Sequence, residues 1–150
     1  MTQSLSNEQL VRRYAAAAAG ADLDALAALR HEGWTVDWPQ SGERVRGSAA
    51  FSAINTNYPG GKPAATVDRI VGSEDRWVVT AGNTVLKIVG SGDYWWCSWV
   101  MTYPDGQIYH VVDLLELHDG LVRRETVYWA PPFEAPAWRR PFVVDPSDVS

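Results

Sequence analysis

The stretch Tyr109-His110-Val111-Val112-Asp113-Leu114-Leu115-Glu116-Leu117-His118-Asp119-Gly120-Leu121-Val122-Arg123-Arg124-Glu125-Thr126-Val127-Tyr128-Trp129 reads as two strands joined by a tight turn. One face of the first strand carries Tyr109, Val111, Asp113, Leu115 and Leu117, an apolar row interrupted by one carboxylate. A buried carboxylate must be paired, hydrogen-bonded or neutralised by a raised pKa, and each state is useful in a cavity. Asp113 is therefore the first candidate for chemistry, against the reading of a structural Asp satisfied by a neighbouring Tyr or Arg. On the second strand Glu125 shares a face with Val127 and Trp129, so hairpin pairing can bring it near Asp113. Two close carboxylates separate their pKa values and supply one acid and one base. Pairing of Glu125 with Arg123, Arg139 or Arg140 is the commoner outcome for such a residue. His110 has the opposite parity from Asp113, which disfavours a His–Asp dyad, and His31 and His118 are expected to be solvated.

Upstream, the strand Tyr94 to Tyr103 has Trp95, Cys97, Trp99, Met101 and Tyr103 on one face and Tyr94, Trp96, Ser98, Val100 and Thr102 on the other. Neither face is plainly solvent-like. Helices can cover one side of such a sheet, so the other is expected against a second copy in a two-fold dimer, or under the chain's own tail. That tail, residues 131–150, holds four prolines between Pro131 and Pro141 with Phe133 and Trp138 among them, and reads as an extended segment docked by its aromatics. Turn clusters at Ser73-Glu74-Asp75, Gly82-Asn83, Gly90-Ser91-Gly92-Asp93 and Pro104-Asp105-Gly106 divide residues after Pro63 into an antiparallel meander.

Toward the N-terminus the pattern becomes helical. Ser6-Asn7-Glu8-Gln9 reads as a capping box for a helix ending at Gly20. Asp22 caps a second, with Leu23, Leu26 and Leu29 on one face, Arg30 and His31 in its last turn and Gly33 at its end. Trp34 to Trp38 is a strand closed by Pro39, and a third helix spans Ser48 to Tyr58. Parity puts Asp37 on the face opposite Trp34, Val36 and Trp38, which makes it a weak candidate for catalysis. Helices ahead of strands give α+β: three N-terminal helices packed on the concave face of a strongly curved, cone-shaped antiparallel sheet.

The 150 residues suit one domain. The net charge of -5 offers no general attraction to nucleic acid. A lone Cys97, expected to be an inert buried thiol, and the absence of metal-ligand spacing argue against disulfides and zinc, and no segment targets a membrane; the cytoplasm is the expected compartment. Eight Trp stand beside three Phe and two Met, so a cavity walled by flat rings is expected. Trp34, Trp38, Trp99, Trp129, Tyr109, Val111 and Val127 are its candidate walls.

Several of these segments together resemble the nuclear-transport-factor-2-like superfamily, and within it the SnoaL-like branch. They are Val11-Arg12-Arg13-Tyr14, Gly20 to Leu26, Val36-Asp37-Trp38-Pro39, Gly47, Tyr109 to Asp113 and Asp119 to Tyr128, nearly the whole chain. The superfamily hosts many chemistries and also non-enzymes. The resemblance implies that Tyr14 stands at the oxyanion-hole tyrosine of ketosteroid isomerase and Asp113 at its protonated aspartate, a system that serves as a general example of pKa tuning. The isomerase's base position holds Trp38 instead, so isomerisation by that route is not expected. In SnoaL-like cyclases the aspartate matched by Asp113 is the acid/base residue. Epoxide hydrolysis would need an arginine where Val111 stands. The implied function is cofactor-free and metal-free acid/base chemistry, such as cyclisation, isomerisation or dehydration. The implied ligand is a small apolar oxygenated molecule, polyketide-, terpenoid- or steroid-like. The alternative is a non-catalytic binding or interaction module.

Overall fold

Helix α1 (Asn7–Ala19) begins where the Ser6 side chain accepts from the Gln9 backbone and the Gln9 side chain accepts from the Ser6 backbone. It buries Leu10, Val11, Tyr14, Ala15 and Ala17 against the sheet. The computed structural model describes residues 4–61, 64–65, 77–79 and 85–146. Helix α2 (Leu23–Ala28) is capped by the Asp22 side chain and buries Leu26.

The second helix is shorter than the sequence reading of it, and the chain is already extended at Arg30. Strand β1 spans Arg30–Trp38. Its first turn of pairing explains the change: Leu29 accepts a hydrogen bond from Val122 at 2.9 Å, Arg30 stands in register with Val122, and the Arg30 side chain is buried. Tertiary pairing overrides the weak helical preference of this segment.

After β2 (Glu43–Arg46) comes α3 (Ser48–Thr56), then β3 (Ala64–Ala65), β4 (Trp77–Val79), β5 (Val85–Ser91), β6 (Tyr94–Thr102), β7 (Ile108–His118) and β8 (Leu121–Ala130). Among the described residues one sheet runs β2-β1-β8-β7-β6-β5-β4, with β3 beside β6. Its pairings are antiparallel as expected, apart from the parallel pair β1 and β8. The sheet is curved and unclosed, the cone of an α+β fold. Asp119 and Gly120 both have positive φ, 51° and 70°, the geometry of the tight hairpin turn that aligns β7 with β8. A bulge in β8, where Glu116 faces Arg124 but Leu117 faces Val122, keeps both Val122 and Glu125 turned inward. The core joins Leu10, Val11 and Tyr14 of α1 to Trp34, Val36, Cys97, Leu115 and Val122.

The turn clusters at 73–75 and 82–83 lie outside the described residues. Residues 131–136 lack regular structure, as an extended tail should, but a 3-10 helix follows (Ala137–Phe142). Phe133, Trp138 and Phe142 are 72% to 81% exposed, so the docking of the tail by its rings onto the chain's own sheet is not what the structure has. Four prolines limit the backbone donors with which the segment could pair. No helix among the described residues is long and apolar enough to cross a membrane.

Candidate active site in the cone

The inward faces of β6, β7 and β8 are laid out in rows by their register. Trp95, Leu115 and Glu125 form one row, Cys97, Asp113 and Val127 the next, and Trp99, Val111 and Trp129 the third. Successive rows are about 7 Å apart, two residues of extended strand. Glu125 and Asp113 are thus diagonal neighbours.

Val36 of β1 stands beside Glu125, which brings Trp34 and Arg30 of the same strand to the buried end. Glu125 accepts a short hydrogen bond from the Tyr14 hydroxyl and a second, at 2.8 Å, from Trp34 Nε1, both on Oε1. Arg30 Nε donates to the Tyr14 oxygen at 2.6 Å, and an Arg30 terminal nitrogen lies 3.6 Å from the same Glu125 oxygen. The guanidinium carbon sits 3.5 Å from the Trp34 ring centre and 4.4 Å from that of Phe51. Arg30 is therefore paired, hydrogen-bonded and ring-flanked, the conditions under which a buried guanidinium is tolerated.

Asp113 has no such company. It is 2% exposed, and its Oδ1 has no hydrogen-bond partner. Burial holds its pKa well above the ordinary carboxylate range, reinforced by the Glu125 charge and a hydrogen bond with Glu125 and opposed by Arg30. Tyr14 is likewise held protonated, first by burial and then by Glu125. Burial also pushes the Cys97 thiol far up, so it is a spectator.

These groups border a cavity of about 290 Å³. Trp38, Trp99, Val111, Val127 and Trp129 line it as expected, together with Phe51, Tyr58 and Tyr103. Two predicted wall residues do not. Trp34 lies behind Glu125 and holds it, because its indole N–H needs a buried acceptor. Tyr109 packs edge-on to Tyr103 at 4.8 Å, at the outer end of its row. Asp37 also falls outside the cavity: both its oxygens are held on the other face by Arg44 and Arg124, and hydrogen bonding to Arg44 first draws its pKa well below the usual range. Glu125 has as its partner not Arg123, Arg139 or Arg140 but Arg30. The Tyr14 hydroxyl donates a hydrogen bond to Glu125 and accepts one from Arg30, so it is committed within the protein.

Arg30 is the site residue that the sequence reading missed. The signal was present: Arg30, Trp34, Val36 and Trp38 have the same parity, so extending the strand backwards brings Arg30 to their face. A larger groove of about 1110 Å³ on the outer side is lined by Arg44, Arg46, Arg123, Arg124 and Glu116. It is open, and Arg123 and Arg124 already meet His31 and Asp37, so the buried end of the cone is the better candidate. Among the described residues no group of His, Cys, Asp and Glu is arranged to hold a metal.

The family model of the SnoaL-like domain matches residues 11–125, from α1 to the site carboxylate of β8. No curated protein matches the chain. Among solved structures, an NTF-2-like protein of unknown function from Burkholderia xenovorans is 30% identical, with a TM-score of 0.69 over 93% of this chain and 94% of that one. A "putative ketosteroid isomerase" from Kribbella flavida is 26% identical, with a TM-score of 0.66 over 93% and 88%. A "putative polyketide cyclase" from Pseudomonas putida, 22% identical with a TM-score of 0.56 over 85% and 93%, shares the fold. The match spans every element that builds the closed end of the cone, and on that ground this chain belongs to the SnoaL-like domain family.

Proposed function

We propose that the cone binds a small, largely apolar, oxygen-bearing molecule and that Asp113 moves a proton on it without a cofactor. The observation that carries this reading is the buried Asp113 oxygen without a partner, bordering a ring-lined cavity. In its ionised form Asp113 takes a proton from a carbon next to a carbonyl, and the electron pair of that C–H bond moves onto the carbonyl oxygen. Return of the same proton to another carbon completes an isomerisation; an enolate that attacks a second carbonyl instead forms the ring bond, and the oxygen of that carbonyl takes the proton back from Asp113. Arg30 borders the cavity with its guanidinium already engaged by Tyr14 and Glu125. Tyr14 and Trp34 are positioning residues that hold Glu125. A cavity of about 290 Å³ is at the lower end of ligand pockets, roughly 300–1,000 Å³, so a compact polyketide- or terpenoid-like ring suits it better than a steroid. The isomerase name of the Kribbella flavida relative supports the reaction class.

Deuterium incorporation into a panel of cyclic β-diketones and enones in heavy water, followed by mass spectrometry, tests the reading. Exchange catalysed by the parent and lowered about 100-fold or more by Asp113→Asn is expected. Exchange unaffected by that substitution would remove Asp113 from the chemistry. A second reading, a non-catalytic binding module, is favoured by Trp38 before Pro39 and by Asp37 facing the other side. Ligand binding without any exchange would select it. We infer also that the outer face of the sheet pairs two copies of the chain.

A further inference from the structure

We infer that the ligand of this cavity carries a positive charge: a protonated amine whose N–H meets Asp113 Oδ1 and whose hydrocarbon part lies among Trp38, Trp99 and Trp129. The inference rests on the cavity being a ligand site and specifies what that ligand is. Among the described residues that line the cavity there are two carboxyl groups, Asp113 and Glu125, and one guanidinium, Arg30. Arg30 is already committed to Glu125 and to the faces of Trp34 and Phe51. The second carboxyl has no counter-charge from the protein, so either a proton or the ligand must supply it.

The position of the unpartnered oxygen agrees with the chemistry. Asp113 Oδ1 is an unsatisfied acceptor, and an ammonium N–H is the donor that satisfies it most strongly. One row farther out, about 7 Å along the strands, Trp99 and Trp129 flank Val111, and Trp38 stands edge-on to Trp129 with 5.7 Å between ring centres. Electron-rich indole faces around a cationic head, or around the methylenes beside it, favour a cation over a neutral molecule of the same shape.

Charge on the ligand also sets the state of the catalytic group. Among the described residues, four titratable side chains interact with Asp113: Glu125 from β8, Arg30 from β1, Tyr14 from α1 and Cys97 from β6. Tyr14 and Cys97 are held protonated by burial, so the proton displaced by an arriving ammonium comes from Asp113. Binding thus leaves Asp113 ionised and paired with the ammonium.

The test is calorimetric titration of the full chain with benzylammonium, benzyl alcohol and toluene near neutral pH, in buffers of different ionisation enthalpy. Benzylammonium is expected to bind about tenfold or more tighter than the alcohol. Its binding should release a proton, seen as a buffer-dependent heat, and Asp113→Asn should bring the two affinities together while the alcohol still binds. Equal or tighter binding of the alcohol, or an ammonium preference that survives Asp113→Asn, would overturn the charged ligand and leave the cavity as a site for a neutral one. Failure of all three probes to bind would overturn the ligand-site reading itself. If Asp113→Asn does not fold, the preference of the parent for benzylammonium over benzyl alcohol decides the question alone.

Discussion

Asp113 is where stability and chemistry pull apart. A carboxyl whose folded pKa lies above its unfolded value binds more protons in the folded chain, so between the two values stability falls as pH rises. An asparagine has the same shape, can still donate to Glu125 and cannot ionise. Asp113→Asn is therefore expected to match the parent's thermal stability in acid and to exceed it toward neutral pH, by about 1 kcal/mol or more. A difference between the two melting curves that does not change with pH would mean that the carboxyl is not held neutral by its surroundings. Parity alone made this residue legible, since one charged side chain in an apolar row of a strand must be accounted for. Parity could not show its partners. That Glu125 meets Arg30, and that Tyr14 donates its hydrogen bond to Glu125, depends on β1 lying parallel to β8, a long-range pairing that no local spacing encodes.

At the level of elements, the capping box, the Asp119-Gly120 turn and the alternation of β7 and β8 were legible because each is written within a few residues. The end of α2 was not, because it is decided by Val122, far along the chain. Gly33 was read as a helix stop. In the structure it sits in β1, where the Arg123 guanidinium occupies the space a side chain would take. Gly90 makes the same point on β5. Its φ is 148°, and a Cβ there would fall onto the Tyr94 carbonyl oxygen and within 2.7 Å of Trp95 Cα. Both obstacles are backbone and cannot rotate away, so β5 and β6 would have to separate. Gly90→Ala is expected to lower the free energy of unfolding by about 2 kcal/mol or more, read from the urea midpoint. A midpoint equal to the parent's would show that the two strands tolerate a wider spacing there.

For the whole molecule, the question is what covers the side of the sheet turned away from the helices. Ser98, Val112 and Tyr128 form one outer row, and Trp96, Leu114 and Thr126 the next. Ile108, Val112, Leu114 and Tyr128 are 39% to 45% exposed, four large apolar side chains on the outer face of the sheet, with His110, Ser98 and Thr126 among them. The rows cross the middle strand β7, so a two-fold axis through it sets the same residues against themselves, the isologous geometry of a dimer. The exposed rings of the tail, Phe133 and Trp138, are further apolar area that a second copy could cover. The chain is expected to sediment as a dimer of about twice the single-chain mass, and Leu114→Glu to sediment as a monomer, because like charges would meet near the axis without compensation. The Leu114 side chain leaves the sheet on the face opposite the cavity, so the monomeric variant should keep its ligand affinity. A parent that sediments as a monomer at micromolar concentration would show that the outer rows meet water or a different partner.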